Sequence, residues 1–410
     1  MKLIGLVWGL LQLGTMCLSA FACAASLSAQ TGTGPSPMLD DHTKVDWWFA
    51  FKFNTTTFHD SCPTAQRACP FGGTVKTYSK GFCQEFAIAS SIDHTLKSGG
   101  PCIGDTKDDP LGASFNQIYF GDFSYVIWND QFHGDPIGDR DDPWGHSKGI
   151  LAWNHDGDGL VLQVSTPEWP GSGSSTFSRG PGNSLGCLAV NNVLVSQHFF
   201  ALKLTKADVV VVLGAMVRAQ VPTNASVGQI VRVKNDDPAD IKALVGLLGT
   251  KSTAKRAGKD TLSSGVVLIS KPPLLHVPPW QLVSEELDAE PLRVASWWIN
   301  PDKIPNTKST TKMGCWDLSL NKPGAVQNAS TGTWNGQSIA LRGGPSASGN
   351  HAKIGVSAGS HTYTIFGDMN QQGSIEKMNC DIKQNIRGGM FFVVDDAPLF
   401  NSVRDLLAGQ

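Results

Sequence analysis

Apolar residues in this chain come in short runs broken by glycine, proline and acidic turns, which predicts many strands and few long helices. Residues 45–53 (VDWWFAFKF) read as a first strand, aromatic and β-rich. Residues 125–128 read as another, closed by Asn129-Asp130-Gln131. Residues 149–153 and 160–164 form two more around His155-Asp156-Gly157-Asp158-Gly159, because Asp-Gly between apolar runs favours a hairpin turn. Residues 209–217 and 227–233 are further apolar runs, and 249–265 are polar and basic (Lys251, Lys255, Arg256, Lys259), a connection between two halves. Residues 282–298 have helical spacing interrupted at Pro291. The β pattern then returns in 352–356 and 361–366, joined at Ala358-Gly359-Ser360.

Two of these hairpins share more than texture. Gly145-His146-Ser147-Lys148 opens the first and Asn350-His351-Ala352-Lys353 opens the second. Residues two apart on a strand face the same way, so each motif projects an imidazole and an ammonium together. A third His-x-Lys, His42-Thr43-Lys44, lacks the hairpin and reads as a surface pair. The two matched motifs predict an internal duplication.

Composition narrows the setting. A chain of 410 residues that is 41% hydrophobic can build a large core, which excludes disorder of the whole. The N-terminus has Lys2, an apolar run over residues 3–18 and small residues over 19–25, the pattern of a cleaved export signal. Residues 26–39 follow as a flexible linker. The expected location is secreted or periplasmic (lysosomal in a eukaryote), with no membrane attachment after cleavage. Seven cysteines then remain (Cys62, Cys69, Cys83, Cys102, Cys187, Cys315 and Cys380), which an oxidising compartment would pair as disulfides, leaving one over. A formal charge of −2 gives no global basic field, so any polyanion must be held by local cations.

At the paired motifs the chain resembles the deoxyribonuclease II family. Gly145-His146-Ser147-Lys148-Gly149 with Asp156-Gly157 downstream resembles its His-x-Lys-Gly hairpin, Val45-Asp46-Trp47 its first strand, and Trp128-Asn129-Asp130-Gln131 its Tyr-Asn-Asp-Gln segment. Further matches are Gly186-Cys187, His351-x-Lys353 with Gly367-Asp368-Met369-Asn370, and Arg387-Gly388-Gly389, so the likeness runs from about 45 to 390. The family is similar to the phospholipase D superfamily. That resemblance implies an α/β fold of two pseudo-symmetric halves, each a central mixed sheet flanked by helices, here 40–248 and 271–410 about a connection at 249–270. The superfamily's Asp five positions after the motif Lys is missing, those places being Trp153 and Ala358. Asp368 and Asn370 stand in for it, with Asn129 and Asp130 as further support. The acidic stretch 132–143 is unlike the animal enzymes and points to a bacterial or otherwise divergent member.

The implied activity is cleavage of double-stranded DNA, without metal or other cofactor, to 3′-phosphate products. One histidine of His146 and His351 attacks phosphorus to form a phosphohistidine, while the other protonates the leaving oxygen and later activates water. Lys148 and Lys353 hold the phosphate oxygens. The pH profile should be bell-shaped, centred at mildly acid to neutral pH. Arg342, Arg387 and the 251–259 lysines are candidate DNA-binding cations, and a homodimeric clamp would widen the contact. Three rivals remain: a metal-dependent nuclease built on the Asp-rich stretches, a secreted lipid phosphodiesterase using the same two motifs, and a non-catalytic secreted binding protein.

Overall fold

The computed structural model describes residues 34–57, 85–100, 103–104, 107–132, 141–167, 169–170 and 194–409. The segment expected to be an export signal, most of the expected linker and five cysteines (Cys62, Cys69, Cys83, Cys102 and Cys187) lie outside them. Cys315 and Cys380 form a disulfide.

The first sheet contains β1 (Trp47–Lys52), β2 (Phe86–Ser90), β3 (Asp93–Gly100), β4 (Ser124–Trp128), β5 (Gly149–Trp153), β6 (Gly159–Val164), β7 (Gln197–Leu204) and β8 (Val231–Arg232). Its order is β3-β2-β1-β7-β6-β5-β4-β8. Helices α1 (Pro110–Phe120), α2 (Lys206–Arg218) and α3 (Ala239–Val245) accompany it. The second half contains β9 (Gly258–Thr261), β10 (Val267–Lys271), α4 (Pro279–Glu286), β11 (Leu292–Ala295), β12 (Val326–Asn328), the hairpin β13 (Thr331–Trp334) and β14 (Gln337–Ala340), β15 (Ile354–Ser357), β16 (Tyr363–Gly367), β17 (Gly389–Asp395) and α5 (Ala397–Leu406). Its main sheet runs β12-β11-β15-β16-β17-β10-β9. Among the described residues a mixed sheet is found only here, through the parallel pair β11–β12. In the first sheet every pairing among the described residues is antiparallel, as expected of strands joined largely by hairpins.

Five strands recur in the same order, β1-β7-β6-β5-β4 and β10-β17-β16-β15-β11. Register aligns them residue by residue. Trp128 faces Gly149 as Ala295 faces Ile354, and Lys52 faces Gln197 as Lys271 faces Gly389. Each His-x-Lys therefore immediately precedes an equivalent strand, β5 or β15.

Strands covered on both faces read as unbroken apolar runs, which explains WWFAFK. On β1, Trp48 donates its indole N–H to Ser114 Oγ of α1 (3.1 Å), while Phe49 on the other face stacks on Phe366 of the second sheet at 4.4 Å. Phe366 also stacks on Phe200 at 4.5 Å, so the two sheets share one aromatic core. The outer face of the second sheet is covered by α4, whose Trp280 and Val283 pack with Ile269, Phe391 and Val393.

The structure sharpens some sequence readings and corrects others. Residues 209–217 lie in α2, where Thr205 and Asp208 form a capping box and Val209, Val212, Leu213 and Met216 make one buried face. The helical reading of 282–298 holds only to Glu286, and the part after Pro291 is β11. The supposed connection 249–270 contains β9 and most of β10. Run 227–233 contributes only the two residues of β8. No helix among the described residues is long and apolar enough to cross a membrane.

Candidate active site

The two His-x-Lys motifs are seated crosswise, each on the other half. The His146 amide donates to the Gly388 carbonyl and the His351 amide to the Ser196 carbonyl, both at 2.8 Å. Gly388 and Ser196 occupy equivalent positions, just before β17 and β7. No side chain fits at Gly388, where an added Cβ would lie 1.9 Å from the Ala219 carbonyl at the end of α2. The imidazoles cross over too. His146 Nδ1 meets the Asp368 main-chain carbonyl at 2.8 Å, and His351 Nδ1 meets that of Ser165 at 2.7 Å. A carbonyl only accepts, so Nδ1 carries the proton in both rings and Nε2 is the nitrogen left for chemistry.

His146, Lys148, His351 and Lys353 are all buried. Burial, reinforced by Lys148, holds the His146 imidazole well below its ordinary value against the opposing pull of Asp130. Burial and then Lys353 and Lys148 do the same to His351. Burial also pushes Lys353 down, aided by Lys148. The four groups thus bear on one another across the junction of the two sheets, and the imidazole values favour a more acidic pH range than free histidine would.

The surroundings of the two histidines differ. Asp130 follows β4, is bonded to Lys148 Nζ, and lies 4.0 Å from His146 Nε2. Burial alone would raise the Asp130 carboxyl, but Lys148, His146 and Arg387 outweigh it and hold it far below the usual carboxylate range. The equivalent place after β11 holds Trp297, whose ring meets His351 edge-on at 4.8 Å. Lys353 Nζ lies 3.0 and 3.3 Å from the two His351 ring nitrogens and donates to the His351 carbonyl at 2.6 Å.

The other sequence candidates divide. The Asp368 carboxylate reaches neither histidine. It accepts from Ser147 Oγ (2.5 Å), Gln163 Nε2 (3.0 Å) and the Met390 amide (3.1 Å). Asn370 bonds Gln372 and Gln384, and Asn129 ties the Trp169 carbonyl at 2.8 Å, so both are loop supports. Arg387, read as a groove cation, is buried instead, donating to Asp130 at 2.9 Å and to the Trp144 carbonyl at 2.8 Å. Arg342 is exposed, and its carbonyl takes the amide of Asn350 beside His351. The lysine run remains mostly on the surface. His198, missed in the sequence, is fully buried and accepts the Lys353 amide at Nδ1 (3.1 Å). Among the described residues no three His, Cys, Asp or Glu side chains gather as metal ligands would.

Residues 36–210 match the family described as Deoxyribonuclease II. Over that span the chain is similar to the deoxyribonuclease II family. It is accordingly a deoxyribonuclease, a hydrolase acting on DNA. The deoxyribonuclease II match takes in β1 to β7 with His146 and Lys148, and ends before His351 and Lys353. The second motif lies outside the match and stands at the place in the second sheet that corresponds, by strand order and register, to that of the first. No curated protein sequence matches the chain significantly.

Proposed function

We propose that this deoxyribonuclease cleaves double-stranded DNA without a metal, through a phosphohistidine formed between two halves of a phospholipase D-like fold. The observation that carries this reading is the crossed seating, which presents Nε2 of both imidazoles to one junction lined by Lys148 and Lys353. The asymmetry around them divides the labour. Asp130 beside His146 Nε2 favours the charged imidazole there, and Lys353 across the His351 ring favours the neutral one. His351 Nε2 attacks phosphorus, the bond to the 5′ oxygen breaks, and the His146 imidazolium gives that oxygen its proton. His146, now neutral, takes a proton from water, whose oxygen displaces His351 and leaves a 3′ phosphate. Lys148 and Lys353 offset the charge on the non-bridging oxygens. The export signal expected at 1–25 supports a place for this chemistry outside the cytoplasm.

Nicking of supercoiled plasmid in EDTA tests the reading. Activity should persist in EDTA and vanish in both His146→Ala and His351→Ala, and cleavage by either variant at wild-type rate would refute it. Hydrolysis of phosphatidylcholine in preference to DNA would favour the lipid alternative.

A further inference from the structure

The duplication repeats another pair of cations that the proposed chemistry does not use. Lys52 ends β1 and Lys271 ends β10, and both are fully buried. Lys52 Nζ donates to the carbonyls of Phe53 and Val195, each at 2.9 Å. Lys271 Nζ donates to those of Asn385 at 2.7 Å and Arg387 at 2.8 Å, with Pro272 at 3.4 Å. Neither has a carboxylate partner among the described residues. An ammonium buried among carbonyls alone is costly, and burial pushes Lys52 down to about 7 and Lys271 well below its ordinary value. That cost is borne at both equivalent positions, and the two share one neighbourhood. Val195 and Arg387 immediately precede Ser196 and Gly388, whose carbonyls seat the His351 and His146 amides.

We infer that Lys52 and Lys271 are positioning residues, each fixing the segment that seats the histidine of the opposite half: Lys52 through Ser196 to His351, and Lys271 through Gly388 to His146. The catalytic consequence rests on the function proposed above, whereas the crossed coupling can be read without substrate. An apolar side chain could fill either slot but could not hold two carbonyls in place, which accounts for the lysine.

The test uses the full chain labelled with 15N-histidine. Lys52→Met should shift the His351 imidazole signals and leave those of His146, and Lys271→Met should do the reverse. DNA cleavage should fall about 10²-fold in kcat, with KM little changed, as for a small misplacement of a reacting group. Lys52→Gln and Lys271→Gln, which keep an N–H donor in the slot, should recover part of the loss. A folded Met variant that leaves both histidines unmoved, or moves the one in its own half, overturns the inference. Should no variant fold, the wild-type protein decides: the Nζ signals of both lysines should exchange slowly with water, and a freely exchanging signal at either overturns it. A folded wild type that cuts no DNA would refute the proposed function while leaving the imidazole readout intact.

Discussion

The main-chain carbonyl of Asp368 holds His146 Nδ1 at 2.8 Å, while its carboxylate turns away to Ser147, Gln163 and the Met390 amide. This acid is a strut between the sheets. Burial pushes its pKa up to about 7 against the bonds from Ser147 and Met390. A carboxyl that ionises less readily folded than unfolded loses its contribution as pH rises from about 4 to about 7. Burial holds the imidazoles of His146, His198 and His351 below their ordinary value, which acts in the opposite sense, so the comparison needs Asp368→Asn. Measured by urea unfolding, the stability difference should move in favour of Asp368→Asn by on the order of 4 kcal/mol between pH 4 and 7.5. A difference that stays constant with pH would contradict the placement of this carboxyl.

Asp130 beside His146 makes a kinetic prediction. In the proposed mechanism the alkaline limb of kcat belongs to the imidazolium of His146 and the acid limb to His351. Asp130→Asn removes the charge that favours imidazolium, so the alkaline limb should move down by about one unit or more while the acid limb stays. A pH–rate series on a plasmid substrate checks this, and movement of the acid limb alone would reverse the assignment of the two histidines.

The division of labour predicts unequal behaviour with an activated substrate. Thymidine 3′-(p-nitrophenyl phosphate) has a leaving group that needs no proton. His146→Ala should therefore release a burst of nitrophenol and then stall as a phosphohistidine, lacking the base that activates water. His351→Ala should release none. Stopped-flow absorbance detects the burst, and an equal burst from both variants would sink the assignment.

The hairpins are legible because their signals are local. Asp156-Gly157 marks a turn, apolar runs flank it, and His-x-Lys sits at its mouth. Helix α2 is harder, since a valine-rich run suits strand or helix, and only the Thr205–Asp208 capping box decides. Ser165, Lys52 and Lys271 acquire their places only through strand register across more than a hundred residues, and Trp297 across more than fifty. Lys52 and Lys271 look like ordinary strand-end lysines until β1 and β10 are aligned. Arg387 is misread for the same reason: sequence shows a cation beside two glycines, and only the fold brings Asp130 to it.

That burial separates two arginines which look alike in the sequence. Arg342 is exposed near His351, so Arg342→Ala should raise KM for DNA, lower the salt dependence of binding by about one unit of slope, and leave kcat and melting nearly unchanged. Arg387 is bonded to buried Asp130. Removing one partner of such a pair strands the other, so Arg387→Ala should destabilise the fold by about 3 kcal/mol. It should also lower kcat, because Asp130 then bears on Lys148 and His146 alone. Binding at several salt concentrations, with thermal melts of both variants, distinguishes them. A salt-dependent KM effect without loss of stability in Arg387→Ala would return that residue to the DNA groove.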